Sequence, residues 1–383
     1  MRRWPEKCRS LHIRFVLKVR AVPAASAPTS TPLDLVLHIG SGKTGTSSIQ
    51  AFMHRNRDRL AGLGYLYPKT PGPTRHIRLG LYIQPDDALD DRITWHRQGA
   101  ASPEAFRKSF RRRLRQEIAE SGLSHVVFSD EALYGSSNEA LRRLAELVDR
   151  IAGSLRLVVY LRRQDDHLVS RYQQVVKVGE TKRLTEWAHE PAHSDNYDYD
   201  FRLRRWERLL EPDEFVVRRF EPDSFVDGSL VQDFLDAVGI DARVGDLGQA
   251  TSRNLSLDAE TVEFLRVFNV YRVENDGARV GLIDNRVLVD RLAEVSRGPV
   301  LTLPTSVMDE FMAQWEEGNE AVARRYLSDA TGQLFRLPRR TENTTAEQQL
   351  DPDRLDHFLT VLELPERLHA PLRQLVEREA GNR

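Results

Sequence analysis

The chain has 383 residues, enough for one large domain with a sizeable core or for two smaller domains. With 40% hydrophobic and 30% charged residues it is predicted to be globular and soluble, and its net charge of −1 gives no electrostatic basis for nucleic-acid binding. The single cysteine, Cys8, excludes an internal disulfide, and no apolar run approaches the ~18 residues of an integral membrane segment.

Residues 1–32 are predicted to be a disordered, basic N-terminal extension. They combine several arginines and lysines with a final stretch rich in proline, alanine, serine and threonine, which is typical of a linker. A signal peptide is the alternative, but Arg14, Lys18 and Arg20 interrupt any apolar segment. A start codon assigned too early would also explain this composition.

The stretch from Leu33 to Gln50 predicts a strand, a tight loop and the beginning of a helix. Residues 35–39 are a short apolar run typical of a buried strand, and an amphipathic helix is predicted from about Thr46 to Leu60. Glycines and a helix N-terminus allow close approach of an anion. The candidate anion-binding residues are Lys43, Thr44, Gly45, Thr46, Ser47 and Ser48. We expect them to hold a phosphate-like group; the alternative is a glycine-rich turn with an exposed lysine.

Two known motifs are candidates for this loop. The Walker motif G-x-x-x-x-G-K-[ST] matches Gly42-Lys43-Thr44, but its first glycine falls on Leu37, so the loop is too short to wrap a nucleoside triphosphate in the usual way. The segment K-T-G-T-S-S after a strand ending in His-Ile-Gly instead resembles the 5′-phosphosulfate loop of sulfotransferases. Those enzymes use 3′-phosphoadenosine 5′-phosphosulfate (PAPS).

A long segment follows, with little regular pattern. Residues 69–101 are predicted to be irregular, and a loop of this length in a compact domain is usually disordered or functional. Trp95 and His96 are candidates to face an acceptor; the alternative is a surface excursion with one buried tryptophan. Ser102 is predicted to cap the next helix.

Strands and helices then alternate. The second strand, residues 125–129, leads to Glu131, and the third, residues 155–161, leads to Arg162. Such alternation predicts a parallel sheet, in which ligands bind at the carboxyl ends of the strands. The predicted fold class is α/β: a three-layer fold like that of P-loop NTPases, with a central parallel sheet flanked by helices and a helical C-terminal part.

Arg162 begins a second candidate phosphate site. The spacing R-x7-S from Arg162 to Ser170 resembles the 3′-phosphate motif of sulfotransferases. An arginine offers a bidentate fork to a phosphate, and a serine facing back from the helix adds a hydroxyl donor. The alternative is an ion pair of Arg162 with Asp165 or Asp166.

The resemblance covers roughly residues 34–270 and implies a bacterial, cytoplasmic, PAPS-dependent sulfotransferase of the carbohydrate or heparan type. It implies that Glu131 acts as the base and that Lys43 stabilises the leaving phosphate, with PAP as product and no metal. The acceptor is expected to be a small molecule or a glycan or glycolipid carrying a hydroxyl or amine. Residues 33–280 would form the sulfotransferase domain, and residues 281–383 a mostly helical part packed on it.

Three patterns favour other interpretations. Residues 126–131 resemble a Walker B strand, which makes a P-loop nucleotide kinase or NTPase using ATP and magnesium the alternative function. His189 and His193 fit the zinc motif H-E-x-x-H, but Pro191 breaks the helix that zinc binding requires. Asn254 and Ser256 resemble a sulfotransferase segment near the cofactor, or they simply cap a helix.

Overall fold

The protein is described from a computed structural model over residues 32–90, 92–190, 196–248 and 256–381. Almost all of the predicted N-terminal extension lies outside these residues, as do Asn254 and the second histidine of the zinc motif, His193. From Pro32 onward the chain forms one compact unit. No helix in the described ranges is long and apolar enough to cross a membrane.

A five-stranded parallel sheet forms the centre of the fold, with strand order β2-β3-β1-β4-β5. Its strands are β1 (Asp34–His38), β2 (Tyr65–Leu66), β3 (His125–Ser129), β4 (Ser154–Leu161) and β5 (Glu214–Arg219). The three longest predicted strands are confirmed as β1, β3 and β4. Because the chain moves from β1 to one edge, returns to β3 and then crosses to β4, the order of connections reverses around β1, where ligands of open α/β sheets usually bind.

The sheet is flanked by helices on both faces. The helices before β5 are α1 (Thr46–Arg55), α2 (Arg57–Gly62), α3 (Ile77–Ile83), α4 (Ile93–His96), α5 (Pro103–Ser121), α6 (Asn138–Ile151), α7 (Gln164–Val176), α8 (Leu184–Ala188) and α9 (Tyr199–Leu210). After β5 come α10 (Leu230–Val238), α11 (Val244–Leu247), α12 (Ala259–Asn275), α13 (Arg286–Val295), α14 (Thr305–Ala313), α15 (Glu316–Tyr326), α16 (Leu355–Val361) and α17 (His369–Gly381). The α/β class with a central parallel sheet is therefore confirmed.

Side chains of the central strands alternate between two cores. Leu35 and Leu37 of β1 join the core under α3, α5, α6 and α9, while Val36 joins the core under α1, α2 and α10. This alternation places a helical layer on each side of the sheet and buries every central strand on both faces.

A third core lies among the helices around α7, α8, α12, α16 and α17. Leu168 and Tyr172 place α7 in this core, although α7 starts directly after β4. A short parallel pair, β6 (Val300–Leu301) with β7 (Thr344–Thr345), lies in the same C-terminal part. Helix α15 packs instead against α9 beside the sheet.

Two sequence predictions were wrong in detail. The first helix does not continue unbroken to Leu60: it is interrupted at Asn56, whose side-chain amide lies 3.0 Å from the carbonyl of Phe52, and α2 follows directly. Residues 69–101 contain the helices α3 and α4. Trp95 is buried against Phe106 with the ring centroids 5.3 Å apart, which leaves it unsuited to face an acceptor.

Candidate functional site

Three strand ends bring the candidate residues to the same edge of the sheet. His38, at the end of β1, lies opposite Ser129 of β3 and Val158 of β4. Lys43, Glu131 and Arg162 follow β1, β3 and β4 within a few residues. Because parallel strands end on the same side, the register joins sequence segments more than a hundred residues apart into one site.

The loop after β1 is built from left-handed backbone conformations. Gly40, Gly42, Lys43 and Gly45 have φ angles of 53°, 70°, 50° and 72°. A loop that mixes left-handed with other conformations can turn successive N–H groups to one side and form a concavity suited to an anion. A Cβ on Gly40 would lie 2.9 Å from Cγ2 of Thr46, so β1 and α1 meet here without room for a side chain.

The N-terminus of α1 adds to this surface. Its N-cap, Gly45, makes no side-chain capping bond, and its carbonyl accepts the N–H groups of Ser48 and Ile49 at 2.9 and 3.1 Å. Within the described ranges, the N–H groups of Thr46 and Ser47 have no backbone acceptor. Two donors and the positive end of the helix dipole thus remain for an anion.

The hydroxyl groups of the loop are less available than the sequence suggested. Thr44 is completely buried, and its Oγ1 has no hydrogen-bond partner among the described residues. Thr46 is buried and donates its hydroxyl to Glu131. Ser47 is exposed and Ser48 is half-buried. Thr44 and Thr46 would therefore act on an anion through their backbone N–H groups, and the two serines through their hydroxyls.

Lys43 carries a charge without a direct counter-ion. Its side chain is partly buried, and no carboxylate of the described residues lies within ion-pair distance of its ammonium. Burial, followed by the neighbouring charge of Arg162, lowers the pKa of Lys43, while Glu131 opposes the shift. A bound anion would relieve both effects, so this part of the site favours a negatively charged ligand.

Arg162 lies directly against the loop. Its Nη1 donates to the carbonyl of Lys43 at 3.2 Å, and its guanidinium lies over the ring of Phe220, 5.8 Å from the centroid. The alternative pairing with Asp165 is not seen, since that carboxylate binds Arg163 and Arg339. Burial lowers the pKa of Arg162, and Asp166 is the first charge that opposes the shift.

Ser170 lies on helix α7, which crosses the loop. His167, one turn earlier, donates from Nε2 to the carbonyl of Ser41 at 2.9 Å. Residues three apart lie on the same side of a helix, so half-buried Ser170 shares the face that contacts the loop. The neighbouring charge of Lys43 also adds to the burial that lowers the pKa of Lys177, at the end of α7, to about 8.

Glu131 is held between the loop and an arginine that the sequence did not identify. One of its carboxylate oxygens accepts the hydroxyl of Thr46, and the other lies 3.4 Å from Nη1 of Arg75. Nε of Arg75 also binds Oδ1 of Asp130 at 2.8 Å. Arg75 lies within the segment predicted to be irregular, where no motif distinguished it from other surface arginines.

Asp130, the candidate Walker B aspartate, is paired with Arg75. It is buried, caps the short 3-10 helix Glu131–Leu133, and binds Arg75 and the N–H of Ala132 through Oδ1. Its other oxygen faces Gly80, where an added Cβ would lie 2.7 Å away. Thr44, the residue that would share magnesium with it, has a buried hydroxyl. Oδ1 of Asp130 is thus engaged by Arg75, whereas its Oδ2, like Oγ1 of Thr44, is buried without a hydrogen-bond partner among the described residues.

The described residues contain no cluster of three or more histidine, cysteine, aspartate or glutamate side chains suited to a metal ion. In the zinc motif, Nδ1 of His189 contacts the carbonyl of Thr185 at 2.5 Å, and Glu190 pairs with Lys182. Cavities of about 180 and 340 Å³ lie beside Arg183 and α17, and no loop residue lines them. These two cavities are therefore separate from the loop after β1.

Three buried histidines connect the elements around the loop. His38 contacts Oγ of Ser129 through Nδ1, and His76 accepts the N–H of Ser129 and donates to the carbonyl of Pro68. Burial lowers the pKa of His38 and His76 to about 3 and that of His167 to about 4. In the native protein all three are therefore neutral at pH 7.

These pKa values predict acid instability. Below pH 6.5 these histidines become protonated in the unfolded chain but stay neutral in the folded chain. The free energy of unfolding therefore falls as the pH falls toward 4. Each histidine lowers the free energy of unfolding by about 1.4 kcal/mol per pH unit, so the three together lower it by about 4 kcal/mol per pH unit. Urea unfolding between pH 7 and pH 4.5 measures the slope. His167→Gln keeps a donor for Ser41 and should reduce the slope by about a third; an unchanged slope would contradict this explanation.

Part of the chain is similar to an archaeal protein. A 206-residue segment is 29% identical to a protein of Archaeoglobus fulgidus described as an uncharacterized protein. The match covers 52% of this chain and 53% of the relative, so the chain spans about half the length of that relative. No family profile and no solved structure matches the chain.

Proposed function

We propose that the protein is a PAPS-dependent sulfotransferase. The observation that carries the proposal is the contact between the two candidate phosphate sites: Nη1 of Arg162 lies 3.2 Å from the carbonyl of Lys43. An adenosine 3′,5′-bisphosphate carries two anionic groups on one ribose, so it requires two cationic sites close together. The fold would be the P-loop-like variant of the α/β class, and the enzyme would act in the cytoplasm.

The donor would bind with its two ends on different strands. Its 5′-phosphosulfate would lie on the loop, bound by the N–H groups of residues 43–47, the ammonium of Lys43 and the hydroxyls of Ser47 and Ser48. Its 3′-phosphate would lie between Arg162 and the face of α7 that carries Ser170. Because Ser47 is exposed and Lys43 is half-buried, the reactive end of the donor would be open to an acceptor.

Transfer of the sulfuryl group would need little covalent catalysis by the protein. The acceptor oxygen or nitrogen forms a bond to sulfur while the bond from sulfur to the 5′-phosphate oxygen breaks, and PAP leaves. As in phosphoryl transfer, positioning and charge stabilisation dominate. Glu131 takes the acceptor proton, and Lys43 stabilises the negative charge that develops on the bridging oxygen. The proposed acceptor is a glycan or glycolipid, and a labelled-sulfate transfer screen over saccharides, lipids and small molecules would identify it.

Calorimetry tests the choice of donor. PAP should bind without magnesium, because every proposed contact comes from the protein. Magnesium-dependent binding of ATP or GTP, without binding of PAP, would overturn the proposal in favour of a P-loop kinase or NTPase. The engagement of Asp130 by Arg75 argues against that outcome.

Arg162→Ala should weaken the binding of PAP by about 10²-fold, because a charge-assisted pair with phosphate is lost. The binding of adenosine 5′-monophosphate should change much less, since that ligand has no 3′-phosphate. Arg163→Ala is the matched control: Arg163 pairs with Asp165 at the same strand end. Equal losses for the two ligands would place the 3′-phosphate elsewhere.

A further inference from the structure

We propose that Arg75 is a positioning residue for Glu131, an inference that rests on the proposed function. Arg75 contacts both acidic residues that follow β3, with Nε on Asp130 and Nη1 on Glu131. It reaches them from residues 67–76, here called the strap, which precede α3. The strap fixes the direction in which the Glu131 carboxylate points.

The strap is held on three sides. Helix α1 contacts the strap through His54. Helix α2 contacts it through Arg57, which binds the carbonyls of Tyr67 and Pro73 at 2.6 Å each. On the side of α5, the carboxylate of Glu117 accepts two successive N–H groups of the strap, at 2.5 and 2.8 Å. A segment with this many bonds to its neighbours is a fixed platform for the residue at its end.

The end of the strap is joined to β3 itself. The N–H of His76 donates to the carbonyl of Ser129 at 3.1 Å, and the ring of His76 accepts the N–H of Ser129 at the same distance. Arg75 therefore leaves the strap one residue before its attachment to β3. Glu131 lies two residues after Ser129, the residue of β3 to which the strap is attached. The side chains of Arg75 and Glu131 therefore come together.

Asp130 fixes the guanidinium in turn. Its carboxylate is completely buried, and burial raises its pKa while Arg75 opposes the shift. Because a buried carboxylate without a partner is costly, Asp130 holds Arg75 in one orientation. Nη1 of Arg75 and the hydroxyl of Thr46 then bind different oxygens of Glu131. Each carboxylate oxygen has two lone pairs, so these contacts leave one on each oxygen that could accept the acceptor proton.

The test compares Arg75→Gln and Arg75→Lys with Arg78→Gln as the matched control. Arg78 lies three residues further on and binds Gln98. A misplaced base costs about 10²-fold in rate, so kcat should fall by about that factor in Arg75→Gln and less in Arg75→Lys, with the affinity for PAP within twofold of wild type. Added guanidinium ion should restore part of the kcat of Arg75→Gln, which a purely structural role would not allow.

Each other outcome counts against the inference. An unchanged kcat in Arg75→Gln overturns it, and a parallel loss of PAP affinity would make Arg75 a donor ligand instead. If Arg75→Gln does not fold, a wild-type kcat in Arg75→Lys overturns it, because lysine cannot reproduce both contacts. A wild-type protein that binds no PAP would refute the proposed function and this inference with it, whereas PAP binding and turnover with an unaffected Arg75→Gln refutes the inference alone.

Discussion

Lys43→Ala is expected to reduce kcat for sulfuryl transfer by about 10³-fold, because the ammonium is the only full charge that the loop after β1 offers to the leaving phosphate. The affinity for PAP should fall less, since the backbone N–H groups of the loop remain. Steady-state transfer of labelled sulfate measures kcat, and calorimetry measures the affinity. Lys108→Ala, which removes an exposed lysine from α5, should change neither quantity.

The left-handed backbone of Lys43 makes Lys43→Gly a second informative variant, in which activity is expected to be lost while stability is kept or increased. Its φ of 50° is a left-handed conformation that costs a residue with a side chain about 1 kcal/mol, and glycine adopts it freely. Lys43→Gly should therefore be as stable as wild type or more stable in urea unfolding, and yet as inactive as Lys43→Ala. Full transfer activity in either variant would refute the proposed role of Lys43.

Glu131→Gln is expected to reduce kcat by about 10²- to 10³-fold and to leave the affinity for PAP unchanged. Glutamine has nearly the same shape and can still accept the hydroxyl of Thr46, but it is far too weak a base to take the acceptor proton. The measurement is kcat with the acceptor found in the transfer screen, together with calorimetry of PAP. Glu139→Gln, at an exposed glutamate of α6, is the control.

Two results would count against Glu131 as the base. Retention of more than a third of the wild-type kcat would show that another group takes the proton. A loss of PAP affinity equal to the loss of kcat would show that Glu131 maintains the shape of the loop through Thr46 instead. The chemically conservative change separates these explanations better than alanine, which would leave Arg75 and Thr46 without their shared partner.

The sequence predicted the parts of the site that follow from local pattern. Apolar runs identified β1, β3 and β4, and parallel pairing then placed Lys43, Glu131 and Arg162 at one sheet edge. The glycines of the loop were likewise readable, because left-handed turns require them.

The remaining features depend on contacts between distant segments. Arg75 meets Asp130 across 55 residues, and nothing in its immediate neighbourhood distinguishes it from an ordinary surface arginine. The burial of Thr44 and the turn of Thr46 toward Glu131 also arise only when β3 packs beside the loop. At the break, both the backbone N–H and the side-chain amide of Asn56 donate to the carbonyl of Phe52, a local detail that helical periodicity cannot reveal.

Helix α7 connects the loop to the C-terminal hundred residues, so these residues would support the proposed ligand binding without direct contact. Its first turns touch the loop through His167, and its later turns lie in the same core as α12 and α17. A ligand that binds only the native state stabilises every element that must be folded for the loop to form. A ligand bound at this sheet edge would thus slow the unfolding of helices that begin more than two hundred residues after Lys43. Truncation of the C-terminal hundred residues would reduce the affinity for that ligand.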